Sequence, residues 1–302
     1  MNEPNPPTEP VMSQSAGGPD VLAFFHAGTS SISYLVSDPA TRRAAIVDAV
    51  LDYSARAGRT ATGFADRILA AVAERQLIVD WVLETHVHAD HLSAGAYCRD
   101  RLGSRLSIGA NVTAVQSMVR DAYGLGADFA TDGRQFDHRF RPEERFNVGN
   151  LDAVVHFTPG HTPACVTYVI GDAAFVGDTL FMPDGGTARC DFPGGSAATL
   201  YRSIQRILAL PDATRVFTAH DYAPGGRPYA WESTVAAQRR DNTHVGGGVA
   251  EAKFVATREA RDKTLEAPVL ILPALQVNVR GGRLPPPDEN GRSFLKIPVN
   301  WL

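Results

Sequence analysis

Only three cysteines, Cys98, Cys165 and Cys190, occur in 302 residues. An odd number of thiols spread so far apart does not form the framework of a cross-linked secreted scaffold, and a reducing cytoplasm is the expected compartment. An excess of basic charge is also missing: 29 Lys and Arg against 33 Asp and Glu leave a formal net charge of -4, which is no footprint for nucleic acid or an anionic membrane. No apolar run reaches the roughly 18 residues of a membrane span. The first twenty residues, MNEPNPPTEPVMSQSAGGPD, have neither the basic nor the apolar region of a secretion signal, and their polar, proline-rich composition predicts a disordered tail over 1–20. What remains is 44% hydrophobic overall, enough for a full core, and the expected partners are small molecules.

From Val21 the chain alternates strand and helix patterns. VLAFFHA, SISYLVS and RAAIVDAV read as three short antiparallel strands, punctuated by Gly28 and by Ser37-Asp38-Pro39. Phe64, Ile68, Leu69, Val72 and Leu77 recur at helical spacing, and IVDWVLET follows as a buried strand. LSAGAYCRDRLG predicts a helix stopped at Gly103, and NVTAVQSMVRDAYG another, with Asn111 as its cap. In the second half AVVHFTP, CVTYVI and AAFVGD read as strands, SAATLYRSIQRILAL as a helix, TRVFTAH as a strand and GVAEAKFVATREARDKTL as an amphipathic helix. Two β-then-α halves predict two packed sheets with helices outside, and the Gly- and Pro-rich end an ordered tail of loops.

The chemistry concentrates in THVHADH, residues 85–91, directly after a predicted strand. A chance H-x-H-x-D-H is expected in on the order of one such sequence in a thousand, so the cluster of His86, His88, Asp90 and His91 reads as metal ligands rather than a solvated loop. Imidazole and carboxylate suit zinc, iron or manganese, as one ion or two. TPGHT with His161, GDTLF with Asp178 and TAHDY with His220 each lie just beyond a predicted strand. Ligands at strand ends can converge at one rim of a sheet core.

H-x-H-x-D-H, a PGH histidine, a GD aspartate and a late strand-end histidine resemble the metallo-β-lactamase superfamily from about Val21 onward. The resemblance implies an α/β fold of αββα sandwich type, with a metal site at the rim between its sheets and one catalytic domain over 21–302, of which about 246–302 is a C-terminal helix and loop extension. Two branches of this superfamily are similar. Glyoxalase II, a hydrolase of glutathione thioesters, would use two metals, one on His86, His88 and His161, the other on Asp90, His91 and His220, with Asp178 bridging. Persulfide dioxygenases keep these residues but hold one Fe(II) per chain on His86, His161 and Asp178, a set that leaves positions open for substrate and dioxygen.

TPGHTPACVTYVIGD, GTARCDFPGG, HDY and QVNVRGG look like the dioxygenases, and bacterial members especially, although the stretch from Asp178 to Arg189 is a little longer than in animal mitochondrial enzymes. The implied reaction takes glutathione persulfide, dioxygen and water to sulfite and glutathione. His88, Asp90, His91 and His220 would then orient ligands or move protons, Arg189 would bind a glutathione carboxylate or else pair with Asp191, Tyr222 would reach the site with its hydroxyl, and Asp48 would support the metal loop. Cys190 reads as an inert thiol and Cys98 and Cys165 as core. A homodimer is expected, and any rhodanese partner would be a separate protein, since too little chain follows the metal core to make that domain.

Overall fold

The computed structural model describes residues 4–300. The first half runs β1 (Val11–Ser13), β2 (Asp20–His26), β3 (Ser31–Ser37), β4 (Arg43–Val47), β5 (Val50–Ser54), β6 (Arg59–Ala61), α1 (Gly63–Glu74), β7 (Ile78–Leu83), β8 (Leu92–Ser93), α2 (Gly95–Leu102), β9 (Arg105–Gly109), α3 (Val112–Tyr123) and β10 (His138–Phe140). The second runs β11 (Arg145–Val148), β12 (Leu151–Phe157), β13 (Val166–Ile170), β14 (Ala173–Phe175), α4 (Ala197–Leu208), β15 (Arg215–Phe217), β16 (Glu232–Thr234), α5 (Val235–Asp241), α6 (Glu251–Asp262) and α7 (Ile271–Asn278). Seven strands in the order β1-β2-β3-β4-β7-β9-β10 make one sheet, and six in the order β11-β12-β13-β14-β15-β16 make the other.

The period of two along each strand sorts side chains into layers. On β2, Leu22 and Phe24 face a helical layer that includes Phe64 and Ile68 of α1 and Val115 of α3, whereas Val21, Ala23 and Phe25 face the space between the sheets. On β14, Ala173 and Phe175 fill that same space, while Ala174 turns outward to Leu200 and Ile204 of α4. Three apolar layers between four structural ones are an αββα sandwich, as the alternation of β and α patterns predicts.

Three local expectations change. Residues 11–13, expected to be disordered, pair with β2, and Arg215 donates to Ser13 Oγ at 3.2 Å and to the Pro19 carbonyl at 2.9 Å. Proline-rich composition signals a chain without its own core, yet an open sheet edge still gives its backbone partners. Residues 1–3 of that expected tail, and 301–302 at the other end, lie outside the described residues. Asn111 does not cap α3: its amide donates to the Pro163 carbonyl at 3.2 Å, tying the helix start to the TPGHT loop. The strand β9, parallel to β7, was hidden between two helices because five residues are too few for a period to show. Gly103 does end α2 in the left-handed conformation, φ 67°.

Candidate metal centre

The ligand-bearing segments leave the two sheets at one rim. His86 follows β7, His161 follows β12, Asp178 follows β14 and His220 follows β15. The sheets are joined there, with Ile32 N donating to Ala219 O at 2.7 Å and Asp221 N to Ser30 O at 3.2 Å. All seven predicted ligands converge, in two groups: His86, His161 and Asp178 in one, and His88, Asp90, His91 and His220 in the other. Asp178 lies between them. Its Oδ2 is 3.8 Å from His86 Nε2 and 3.5 Å from His161 Nε2, and its Oδ1 is 3.4 Å from His220 Nε2.

The partners of the imidazoles fix which nitrogen is free. His161 Nδ1 lies 2.7 Å from the Arg189 carbonyl and His220 Nδ1 3.2 Å from the Ser30 carbonyl. A carbonyl only accepts, so each Nδ1 carries the proton and each Nε2 turns a lone pair to the shared space. Thr85 Oγ1 donates to Asp48 at 2.7 Å, which leaves it to accept from His86 Nδ1 at 3.0 Å. Burial, then the neighbouring His88 charge, holds His86 well below the usual histidine range, and burial does the same to His88. Both are neutral imidazoles at neutral pH, the ligand form.

The loop carrying the cluster is held from behind. Asp48, itself at φ 51°, accepts from Thr85 N and Oγ1, both at 2.7 Å, and lies 3.1 Å from His88 Nε2. The buried Glu84, 3.6 Å from the same nitrogen, accepts from Ser93 at 2.6 Å. Sequence reasoning missed Asn278 at the end of α7. Its amide nitrogen donates to the carbonyls of His88 at 2.8 Å and His91 at 2.7 Å, and its oxygen accepts from Ser93 N at 2.8 Å. The signal was present in QVNVRGG, a segment noticed only for its resemblance. Gly160 seats His161: at φ 138°, with a Cβ that would stand 2.3 Å from Leu200 N, it is the residue that lets the TPGHT turn lie on α4.

Among the described residues, six buried polar atoms at this rim have no hydrogen-bond partner: His86 Nε2, both nitrogens of His88, His91 Nε2, Asp178 Oδ1 and His220 Nε2. Apart from His88 Nε2, which faces Asp48 and Glu84, these buried nitrogens and the carboxylate fit metal coordination, which would satisfy them together. Residues 26–220 match the Metallo-beta-lactamase superfamily. The chain belongs to that superfamily. It is 56% identical over 289 residues to a beta-lactamase hydrolase-like protein of Agrobacterium fabrum, covering 96% of this chain and 67% of that one. It is 48% identical to glyoxylase B2 of Dictyostelium discoideum, covering 89% and 92%. It is 31% identical to the mitochondrial persulfide dioxygenase ETHE1 of Mus musculus, covering 69% and 72%. ETHE1 from Myxococcus xanthus superposes with a TM-score of 0.69 at 32% identity, over 87% of this chain and 99% of that one.

In this superfamily member a cavity of about 640 Å³ opens over His161, Asp90 and Asp178, within the size range of small-molecule sites. One wall is the C-terminal extension, with Arg258 and Arg261 of α6 and Leu265 to Leu270 beyond it. Of the two expected substrate contacts, Arg189 is already engaged. Its Nε and Nη2 donate to the Asp191 carboxylate at 2.6 and 2.7 Å, and its Nη1 donates to the Glu266 carbonyl at 2.6 Å. Its fork ties the wall in place, and its own carbonyl orients His161. The cation left open on this wall is Arg261, whose guanidinium makes no ion pair among the described residues, with the Glu266 carboxylate likewise unpaired beside it. Tyr222 lies at the mouth, 61% exposed, its ring parallel to His220 at 5.8 Å. The stretch after Asp178 is pinned by Arg227, which bridges Asp184 and the buried Asp221. Cys190 is buried and its thiol pushed up to about 12, as are those of Cys98 and Cys165, so none is a nucleophile at neutral pH. No helix among the described residues is long and apolar enough to cross a membrane.

Proposed function

We propose that the protein is an iron(II)-dependent persulfide dioxygenase that converts glutathione persulfide, dioxygen and water to glutathione and sulfite. The observation that carries this reading is the gathering of His86, His161 and Asp178, two imidazoles and one carboxylate whose ligand atoms lie within 4.8 Å of one another. Such a set suits one iron, which when bound supplies the redox chemistry and open positions for two substrates. Likeness to ETHE1 proteins at 31% and 32% identity supports the same reaction.

On this reading the chain's own groups bind, orient and shuttle. The cavity takes the carrier thiol, with Arg261 facing a carboxylate of the tripeptide and Tyr222 closing over its sulfur end. His220, its Nδ1 tied to the Ser30 carbonyl, turns Nε2 to the shared space, where it accepts a proton beside the reacting sulfur. Asp48, Thr85 and Asn278 keep the ligand loop in register.

A second reading has its own observation. One Asp178 oxygen faces each group, as a bridging carboxylate would, and the glyoxylase B2 relative is 48% identical. That reading is a two-metal hydrolase of glutathione thioesters. The two separate in one vessel: iron-loaded, anaerobically prepared protein given glutathione persulfide should consume one dioxygen per sulfite formed. No uptake from iron-containing protein that hydrolyses S-lactoylglutathione would replace the first reading by the second.

A further inference from the structure

A second cavity of about 50 Å³ lies behind the ligand loop. Val87 and Ala89, the two apolar residues interleaved with His86, His88 and Asp90, form its floor. Val115 and Val119, one turn apart on α3, and Ile271 and Leu275, one turn apart on α7, form its walls. Phe192 separates it from the large cavity, since Phe192 and Ala89 line both. That ring is seated edge-on against His161, centroids 5.3 Å apart at 72°, with the Arg189 guanidinium 5.1 Å from its centre.

Size and lining restrict the occupant. The space exceeds the about 30 Å³ a water takes in the liquid, yet it is far below the about 300 Å³ at which pockets for organic ligands begin. A buried water needs two to four polar partners. Of the two hydroxyls on this wall, Thr162 is engaged by the Cys165 thiol at 3.1 Å and by Ala164 N at 3.3 Å, and Tyr123 donates to the Ile271 carbonyl at 3.4 Å. Dry apolar cavities of this kind take up small apolar molecules such as xenon. The reading of the large cavity as the thiol site leaves dioxygen, a small apolar diatomic, without an apolar approach of its own to the open position at the ligand rim.

We propose that this cavity is the dioxygen site, a holding chamber from which the gas passes Phe192 and Ala89 to the ligand rim while the persulfide enters by the large cavity. The inference rests on the dioxygenase reading and adds a binding site to it. Its test combines xenon and kinetics. Crystals of the holoenzyme pressurised with xenon should show one anomalous peak among Val115, Val119 and Ile271, and Val115→Phe should abolish it. In the iron-loaded enzyme, Val115→Phe and, from the opposite helix, Ile271→Phe should raise KM for dioxygen fivefold or more and leave KM for glutathione persulfide within twofold.

No xenon in the wild-type cavity overturns the proposal, whatever the variants do. So does an unchanged KM for dioxygen in variants that keep their iron, or a rise confined to the persulfide, which would assign the space to substrate. A wild-type enzyme that binds xenon here but consumes no dioxygen would instead remove the functional reading, and this proposal with it.

Discussion

The two ligand groups at the rim stand a few ångströms apart and meet their charges differently. In the first, burial holds His86 neutral, and its Nε2 faces Asp178 with no hydrogen-bond partner. In the second, Asp90 is drawn well below the usual carboxylate range, where His220 and His91 outweigh the upward push of burial, and His220 is raised in turn. Unpartnered nitrogens occur in both groups, His86 Nε2 in the first and His91 Nε2 and His220 Nε2 in the second. Under the proposed dioxygenase reading the first group would hold the iron and the second would orient ligands or move protons.

The strongest way to break this comparison is to remove one residue from each group. His161→Ala should lose iron and at least 10³-fold in activity, whereas His220→Ala should keep iron and lose about 10- to 100-fold in kcat, as changes to residues beside a metal do. Metal analysis of both variants checks this, and equal iron loss from the two would erase the distinction. Next in size is the clamp shared by both groups. Asn278→Ala strips the donor from two buried carbonyls and should cost about 2–4 kcal/mol, read as a lower midpoint in denaturant; a midpoint within 0.5 kcal/mol of wild type, on the order of a surface substitution, would show that the loop holds itself.

Smaller effects sharpen the contrast between the rim and the cavity wall. Arg261→Ala should raise KM for the persulfide about tenfold, the worth of one exposed charge-assisted contact, at unchanged kcat. Arg189→Ala should also raise KM, by releasing Glu266, and lysine should restore function at 261 but not at 189, where the fork is needed. If neither KM moves, the carrier does not lie against this wall. The one effect that depends on pH concerns His244, which accepts from Thr187 N at 3.0 Å and whose value is lowered from 6.5 to about 4 by burial and then by Arg258 and Arg261. It stays neutral in the folded chain while the unfolded chain takes up a proton below pH 6.5, so stability falls as pH drops from 6.5 towards 4, by on the order of 2 kcal/mol. His244→Gln should flatten that slope in pH-dependent urea melts; an unaltered slope would place the titrating group elsewhere.

What the sequence revealed follows from how local each signal is. His86, His88, Asp90 and His91 sit within six residues, and His161, Asp178 and His220 in short strand-end motifs, so the set of residues that meets at the rim was legible. So were α1, α3 and α4, whose apolar residues recur at helical spacing, and the end of α2 at Gly103. Arg189 was read as a substrate contact or a partner of Asp191, and the second pairing is the one formed, while nothing in ARCDF tells that the Arg189 carbonyl orients His161. Asn278 and Arg261 act across 187 and about 170 residues of chain on a loop and a cavity that exist only after folding. Residues 11–13 misled for the opposite reason: their order comes from β2, not from their own composition.

The most direct test of the division between the two groups is anomalous diffraction at the iron edge from crystals of iron-loaded protein. One peak among His86, His161 and Asp178, with none among His88, Asp90, His91 and His220, is the predicted result. Two peaks of similar height, sharing Asp178, would contradict it.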